Sequence, residues 1–316
     1  MSKRSQHAEL ELLALVSGAM IAMQSRANGE LSHRLGNSTE AALISFSSGL
    51  LIVSIFALIH RPIRIGLSQL ASAVRAKQIP RWRLFAGMLG GTFVALQTSV
   101  VPIIGVALYS VASIAGQTAM SLVVDRIGLT GGGKKQITPR RIAAAVITVI
   151  AVLVSVWDRL DKVNFSILAV ALSGAAGAFV GVQRALNGQI NEHSKQSFAT
   201  SFLNFVMGTT FLVVLLGLRV AFQHQHVAAL PHGPWWFYTG GTIGVIYIAF
   251  TSTIVQHLGV LTMTLLSTVG TLVGSLVIDI VSPTNGSHVT SYLISGIVLT
   301  YAGVFIGGNK KLSFKK

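Results

Sequence analysis

Cysteine is absent from this 316-residue chain, and charged residues make up only 10% of it. The first absence excludes disulfides and thiolate metal sites, and it leaves the redox compartment undetermined. Soluble domains carry about 25% charged residues, so the second absence excludes an ordinary soluble domain. The G-x-S-x-G and H-E-x-x-H motifs and paired catalytic carboxylates are missing too. We therefore predict no catalytic residue and no enzyme activity.

What the chain has instead is long apolar runs, and hydrophobic residues make up 52% of it. Runs of about 18 or more apolar residues are typical of transmembrane helices. We predict an all-α polytopic membrane protein with ten transmembrane helices. They cover 9–30, 38–60, 83–103, 105–126, 139–157, 165–187, 198–219, 235–256, 258–281 and 289–308. Glycines four apart within these runs, such as Gly177 and Gly181, predict close helix packing.

The basic residues indicate an orientation. With the N-terminus in the cytoplasm, 19 of the 24 Lys and Arg residues fall inside and 5 outside, as the positive-inside rule requires. Ten spans then place both termini in the cytoplasm. The four tryptophans fall at predicted span ends, where an aromatic belt is expected. Positive charge dispersed along the cytoplasmic rim favours membrane lipids as partners and argues against nucleic acid.

An internal repeat is the strongest pattern in the sequence. At an offset of 159 positions, Gln24, Asn28, Gly29, Phe46 and Gly49 match Gln183, Asn187, Gly188, Phe205 and Gly208. At offsets of 150 and 154, "GGT" from Gly90 matches "GGT" from Gly240, and "SLVVD" ending at Asp125 matches "SLVID" ending at Asp279. We predict two five-helix halves, 1–158 and 159–316. Because five is odd, the second half enters the membrane from the opposite side, which makes an inverted repeat with a substrate site between the halves.

These motifs resemble a known family. The "Q-x3-N-G" after the first run, "AALISFSSG", and "GQTAMSLVVDRIGL" are similar to the YdcZ family of the drug/metabolite transporter (EamA-like) superfamily. The resemblance implies a fused pair of five-helix halves in the bacterial cytoplasmic (inner) membrane, working in efflux. The second half departs from the pattern, because "SLVIDIVSP" lacks the Arg-Ile-Gly-Leu that follows Asp125.

Several amides inside the predicted spans are candidates for substrate binding. Gln24 and Asn28 are four residues apart and share one helix face, as Gln183 and Asn187 do. We expect Gln24 and Gln183 to line a central cavity, although bonding between helices is the alternative role. Each Asn-Gly pair is typical of a helix C-terminal stop. Gln97 and Gln117 are further polar positions within spans and share the same two alternatives.

Four ionisable residues are candidates for gating or coupling. The predicted topology places Arg26 and Asp279 at the outer mouth, and Arg184 and Asp125 at the inner mouth. We hypothesise that they form two gate pairs, Arg26–Asp279 and Arg184–Asp125. The alternative is that these side chains reach the headgroup region without gating.

We predict no metal and no cofactor. "GLTGGGKK" from Gly128 fails the phosphate-binding pattern, because Lys135 stands where a hydroxyl is required. His224, His226 and His232 share a predicted outer loop, but no carboxylate or cysteine joins them.

The pattern favours a secondary transporter that moves a small organic solute by alternating access between the halves. Two alternatives remain open: a membrane-embedded enzyme on a lipid-linked substrate, and a helper subunit that does not transport. The substrate, the coupling ion and the oligomeric state, including a homodimer, are not given by the sequence.

Overall fold

A computed structural model describes residues 3–129, 136–159, 166–223, 227–283 and 289–308, and these residues form helices without a strand among them. The helices are α1 (Lys3–Leu35), α2 (Ser38–Ile59), α3 (Arg61–Arg75), α4 (Ala86–Ile104), α5 (Val106–Ile127), α6 (Pro139–Val156), α7 (Ile167–Ser194), α8 (Ser197–Gln223), α9 (Gly240–Val281) and α10 (Ser291–Gly308). Short 3-10 helices cover Arg81–Phe85, Trp157–Arg159 and Trp235–Tyr238. The all-helical prediction is confirmed.

Six described helical segments are long and apolar enough to cross a membrane. They are Ser38–Ile59, Arg81–Ile104, Val106–Ile127, Pro139–Val156, Ile167–Ser194 and Ser197–Phe222. Shorter apolar segments cover Gly240–Thr251, Leu266–Val281 and Ser291–Ile306. Length and hydropathy of the described residues therefore support a multi-pass membrane protein, with six spans by this criterion where ten were predicted.

The outer surface carries large apolar side chains on several of these helices. Leu58 on α2 is 75% exposed, Val214 on α8 is 56% exposed, and Val298 on α10 is 61% exposed. Water would make such surfaces prone to association, whereas lipid chains are as apolar as the side chains themselves. These faces therefore contact lipid.

Helix α3 occupies a segment that the sequence did not identify as a helix. Pro62 stands at its N-terminus, where the missing N–H has no cost. Ile63, Leu70 and Ala73 are buried along one face, while Arg61 and other basic residues of the segment stay exposed. A helix with one buried and one cationic face suits the surface of a membrane. Its Pro, Gly and Arg content resembled a loop, which is why the prediction missed it.

Helix α9 covers the two predicted spans 235–256 and 258–281. Both of its ends lie against the same part of α1: Gln24 Nε2 donates to the carbonyl of Gly240 over 2.9 Å, and Arg26 Nε donates to the carbonyl of Ser282 over 3.2 Å. A straight helix of 42 residues would hold its ends about 63 Å apart. The arms Gly240–Thr251 and Leu266–Val281 therefore run in opposite directions beside α1.

Helix α1 packs between the two arms of α9, and α7 packs between α4 and α5 in the same way. A Cβ on Gly18 of α1 would overlap the carbonyl oxygen of Ser267 on α9. Likewise, a Cβ on Gly177 of α7 would overlap the carbonyl oxygen of Ser113 on α5. Gly18 and Gly177 are 159 positions apart in the sequence, and the two serines are 154 apart. The same backbone contact thus occurs twice, each time between a first-half and a second-half helix.

The contacts also correct the register of one repeat match. Gly90 faces the amide nitrogen of Gln183, and Gly244 faces that of Gln24. The structural counterpart of Gly90 is therefore Gly244, which lies one helical turn beyond the Gly240 that the "GGT" match indicated. Identical tripeptides on neighbouring turns misled the alignment.

Helices α2 and α8 meet in a reciprocal aromatic contact. The ring of Phe205 packs on Gly49, and the ring of Phe46 packs on Gly208. The two ring centroids are 5.0 Å apart with planes tilted by 42°. Because each glycine leaves room for the ring of the other helix, the two helices approach closely at the centre of the protein.

A single residue, Gly105, connects α4 to α5 with φ of +82°. The freed N–H groups at the start of α5 are bound by Asp279 of α9: its Oδ1 accepts from Val106 N over 3.2 Å and its Oδ2 from Ala107 N over 2.8 Å. A carboxylate is favourable at a helix N-terminus, where N–H groups lack partners within the helix. Asp279 therefore caps α5 from the other half of the chain.

Substitution of Gly177 tests the backbone contact. We expect Gly177→Ala to lower stability by about 1–3 kcal/mol, because the added methyl must push α7 away from Ser113. Gly188→Ala on the same helix is the control, since a Cβ there meets nothing within 4 Å. Thermal unfolding in detergent measures both, and equal melting temperatures for the two variants would contradict the packing.

Substitution of Asp279 tests the cap. We expect Asp279→Ala to cost about 1–3 kcal/mol, because it leaves two buried N–H groups without acceptors. Asp279→Asn keeps one acceptor oxygen and should cost less. Unfolding in mixed detergent measures the difference, and an alanine variant as stable as the wild type would rule the cap out.

Candidate functional site

A partly open cavity of about 60 Å³ lies between helices of both halves. Residues of α1, α2, α4 and α5 line it together with residues of α7, α8 and α9. Much of the lining consists of residues that match under the repeat, among them Ile21 and Val180, Gln24 and Gln183, Phe46 and Phe205, Phe93 and Tyr247, and Ser113 and Ser267. Both halves thus contribute corresponding surfaces to one space.

Four of the sequence-predicted residues reach this lining: Gln24, Gln117, Gln183 and Arg184. Gln24 and Gln183 are buried, with 5% and 8% of their surface exposed. Each also donates a hydrogen bond to a neighbouring helix, Gln24 to the carbonyl of Gly240 and Gln183 to Asn204 Oδ1 over 3.0 Å. Gln24 and Gln183 thus line the cavity and also bond to neighbouring helices, and substrate binding by them stays a prediction.

The other three predicted amides bond between helices. Asn28 Nδ2 on α1 donates to Gln97 Oε1 on α4 over 2.9 Å, and Gln97 Nε2 returns a bond to Ser25 Oγ over 2.8 Å. In the second half, Asn204 Nδ2 on α8 donates to Asn187 Oδ1 over 2.7 Å. Such bonds satisfy groups that would otherwise lie unpaired in an apolar bundle, where an unpaired amide is costly.

The prediction that the Asn-Gly pairs end helices was wrong. Helix α1 continues to Leu35 and α7 to Ser194, so Asn28 and Asn187 lie within regular helix. Their side chains are used in the bonds between helices, and Gly29 lets α4 approach at Val101. Tertiary packing overrides the local preference of Asn-Gly for a helix end.

Arg26 lies outside the cavity lining, with 13% of its side chain exposed. Its Nη1 forms an ion pair with Glu30 Oε2 at 2.9 Å, and its Nε and Nη2 donate to the carbonyl and hydroxyl oxygens of Ser282, three residues beyond Asp279. Its guanidinium also lies 5.3 Å from the ring centroid of Trp236. In this conformation, among the described contacts, Arg26 is held by Glu30 and Ser282 while Asp279 caps α5, so the Arg26–Asp279 gate stays a prediction.

Arg184 is held differently. Arg184 donates from Nη2 to the hydroxyl of Tyr247 on α9, and its guanidinium lies 6.0 Å from the Tyr247 ring centroid. Asp125 at the end of α5 forms its described ion pair with Arg141 of α6. The Arg184–Asp125 gate likewise stays a prediction, for a state other than this one.

The two arginines are also not equivalent in the repeat. In the register that matches Gln24 with Gln183, Arg184 corresponds to Ser25, and Arg26 corresponds to Ala185. Their side chains therefore leave α1 and α7 in different directions, Arg26 toward the end of α9 and Arg184 into the cavity.

Sequence reasoning missed Tyr109, Ser110 and Tyr247, which line the cavity, and Asn204, which joins Gln183 to Asn187. Asn204 carried a usable signal, because an asparagine in the middle of an apolar run requires a partner. The tyrosines and the serine carried none, since such residues are common in membrane helices. Lys134, Lys135, His224 and His226 lie outside the described residues.

Comparison with known proteins gives both a family and a fold. The family model described as "Putative inner membrane exporter, YdcZ" matches the chain twice, over residues 10–154 and 168–306. A solved structure titled "Crystal structure of protein" is similar at 13% identity and a TM-score of 0.62, over 98% of this chain and 100% of that one. At that identity the likeness shows the fold alone. No curated protein matches the sequence.

The two family matches together cover most of the chain, and the apolar helices they contain are of membrane-spanning type. The chain therefore belongs to the YdcZ family of inner-membrane exporters in the drug/metabolite transporter superfamily, and it is a multi-pass membrane protein of the transporter class.

Proposed function

We propose that this protein is a secondary transporter that moves a small organic solute by alternating access between two inverted five-helix halves. The observation that carries the proposal is the cavity between the halves, lined by matched residues from each. Ligand sites of transporters with inverted repeats lie at such an interface, near the middle of the bilayer. Efflux is the direction implied by the family.

The inverted arrangement draws support from the ends of α1 and α7. Gly29, near the C-terminal end of α1, lies against Val101 at the end of α4. Gln189, near the C-terminal end of α7, accepts a hydrogen bond from Arg83 just before α4 begins. The last turns of α1 and α7 thus lie at opposite ends of α4, as they must if the halves enter the membrane from opposite sides. The boundary at 158/159 falls between the two family matches.

The six long apolar segments, the two arms of α9, α1 and α10 together make ten spans. Both termini then lie in the cytoplasm, together with α3. Its exposed arginines, including Arg61 and Arg64, would face anionic headgroups, each contributing about 1 kcal/mol to membrane attraction.

The matched contacts suggest how the protein changes state. Helix α1 packs between the arms of α9, and α7 packs between α4 and α5. If each of these two groups of helices adopted the geometry that the other group now has, an inward-open state would become an outward-open one. Interfaces of this kind have discrete arrangements and do not deform continuously. The described lining holds no Asp or Glu, so the proposal assigns no carboxylate there to proton coupling.

The cavity and the family favour transport over the two alternatives. A helper subunit would be expected to seal its interior, yet Gln24 and Gln183 face an open space. An enzyme acting on a lipid-linked substrate would need a cluster of reactive charged groups at one mouth, and the family is one of exporters.

Labelling of a cavity cysteine tests alternating access. The chain holds no native cysteine, so Gln117→Cys places a single thiol at a partly exposed position of the lining. We expect a membrane-impermeant thiol reagent to modify it from the cytoplasmic side in inside-out vesicles and from the outer side in right-side-out vesicles. Ser173→Cys is the buried control, because Ser173 is 0% exposed and donates to the carbonyl of Ala169.

Modification of position 117 from one side only would indicate a fixed cleft, and protection from both sides would indicate a sealed bundle. Either result would contradict alternating access. The same vesicles must hold a pH gradient, because a permanently open pore would also admit the reagent from both sides.

A further inference from the structure

Arg184 is the single cationic side chain among the described residues of the cavity lining, and those residues include no Asp, Glu, Lys or His. Transfer of a charged group into an apolar bundle is costly unless another group compensates it. The cavity therefore holds a positive charge without a carboxylate beside it.

Three other arginines have a described carboxylate partner. Arg26 and Arg34 both pair with Glu30, at 2.9 Å and 2.7 Å, and Arg141 pairs with Asp125. The described partner of Arg184 is the neutral Tyr247, which contributes a hydroxyl and a ring face. A cation over an aromatic face gains about 0.5–2 kcal/mol, less than the desolvation of several kcal/mol that a buried ion costs.

Three buried polar atoms of residues that line this site also lack hydrogen-bond partners among the described residues. They are Nε of Arg184, Oγ of Ser110 and the hydroxyl oxygen of Tyr109. Buried polar groups in folded proteins are nearly always hydrogen-bonded, so a ligand that draws these side chains toward it would supply the missing partner. A guanidinium N–H and a hydroxyl can both donate, which suits an oxyanion.

The rest of the lining is apolar. Phe46, Phe93 and Phe205 face the space together with aliphatic residues such as Ile21 and Val180. Apolar and aromatic walls with a few placed polar groups are typical of sites for small organic molecules. A hydrated inorganic ion would gain little from these walls.

We propose that the solute is an organic anion, with a single carboxylate-like group on an apolar or aromatic body, and that Arg184 binds the charged group. This assignment rests on the proposed transport function, which it deepens. Tyr247 holds the guanidinium in place, and Ser110 offers a further donor. Because the repeat counterpart of Arg184 is Ser25, only the second half carries this charge, and the anion site is not part of the shared framework of the halves.

Binding of matched probes to the purified full-length protein tests the assignment. Each set keeps one body and changes the charge: benzoate, benzamide and benzylammonium; 3-phenylpropanoate, its amide and its amine; hexanoate, its amide and its amine. Phenylphosphonate and benzenesulfonate separate carboxylates from other oxyanions. We expect the carboxylate of at least one set to bind about 10-fold tighter than its amide, as a charge-assisted bond provides, measured by isothermal titration calorimetry.

Variants assign the preference to Arg184. Arg184→Gln should reduce affinity for the carboxylate by about 10- to 100-fold and leave the amide unchanged, while Arg184→Lys should keep much of the preference. Arg219→Gln is the control, since Arg219 donates to Thr39 away from the cavity. If Arg184→Gln does not fold, Tyr247→Phe decides, because loss of the orienting hydroxyl should weaken the carboxylate alone.

Three results would overturn the anion site: tighter or equal binding of the amide or amine, a carboxylate preference that survives Arg184→Gln, or no binding of any anion. Counterflow of radiolabelled 3-phenylpropanoate, or of whichever carboxylate binds tightest, separates this inference from the proposed function. Arg184-dependent binding without counterflow would contradict transport and keep the anion site. Counterflow of an amine or amide alone would contradict the anion site and keep transport.

Discussion

Close backbone approach between helices of different halves is the constraint on which the rest of the structure depends. In lipid, apolar side chains gain little by leaving one apolar neighbour for another, so helix packing relies on van der Waals contact and small residues. Gly18 and Gly177 allow that contact at matched places. They hold α1 between the arms of α9, and α7 between α4 and α5. Neither half can form these contacts alone.

The interlocked packing explains where polar groups occur. At Gly90 and Gly244 the approaching helix presents a glutamine, and deeper amides join helices through side-chain bonds. Gly90 and Gly244 also line the central cavity, together with larger residues such as Phe46 and Phe205, whose rings pack against one another. The matched framework supports the proposed exchange between two states, and the unmatched Arg184 is the residue proposed to bind the charged group of the solute.

Much of this architecture could be predicted from the sequence, and the limits are physical. Apolar runs predicted the helices. The repeated glutamines indicated both sides of the cavity, because a polar side chain within a membrane helix is costly unless it faces a cavity or a bonding partner. The sequence could not show that Asn28 bonds to Gln97 or that Asp279 caps α5, because helical periodicity reports which face is apolar and not which distant residue meets it. The sequence suggested gate pairs for Arg26 with Asp279 and for Arg184 with Asp125, but it could not show that Arg26 bonds to Ser282 and Arg184 to Tyr247.

The most direct measurement of the central claim is the sidedness of two equivalent positions. His33 and Glu192 are 159 positions apart, both are exposed, and they lie in the last turns of α1 and α7. Single cysteines at these positions would be treated with an impermeant reagent in sealed vesicles of known orientation. Inverted halves predict that position 33 reacts only from outside and position 192 only from the cytoplasm. Reaction of both positions from the same side would contradict the inverted arrangement and the transport cycle built on it.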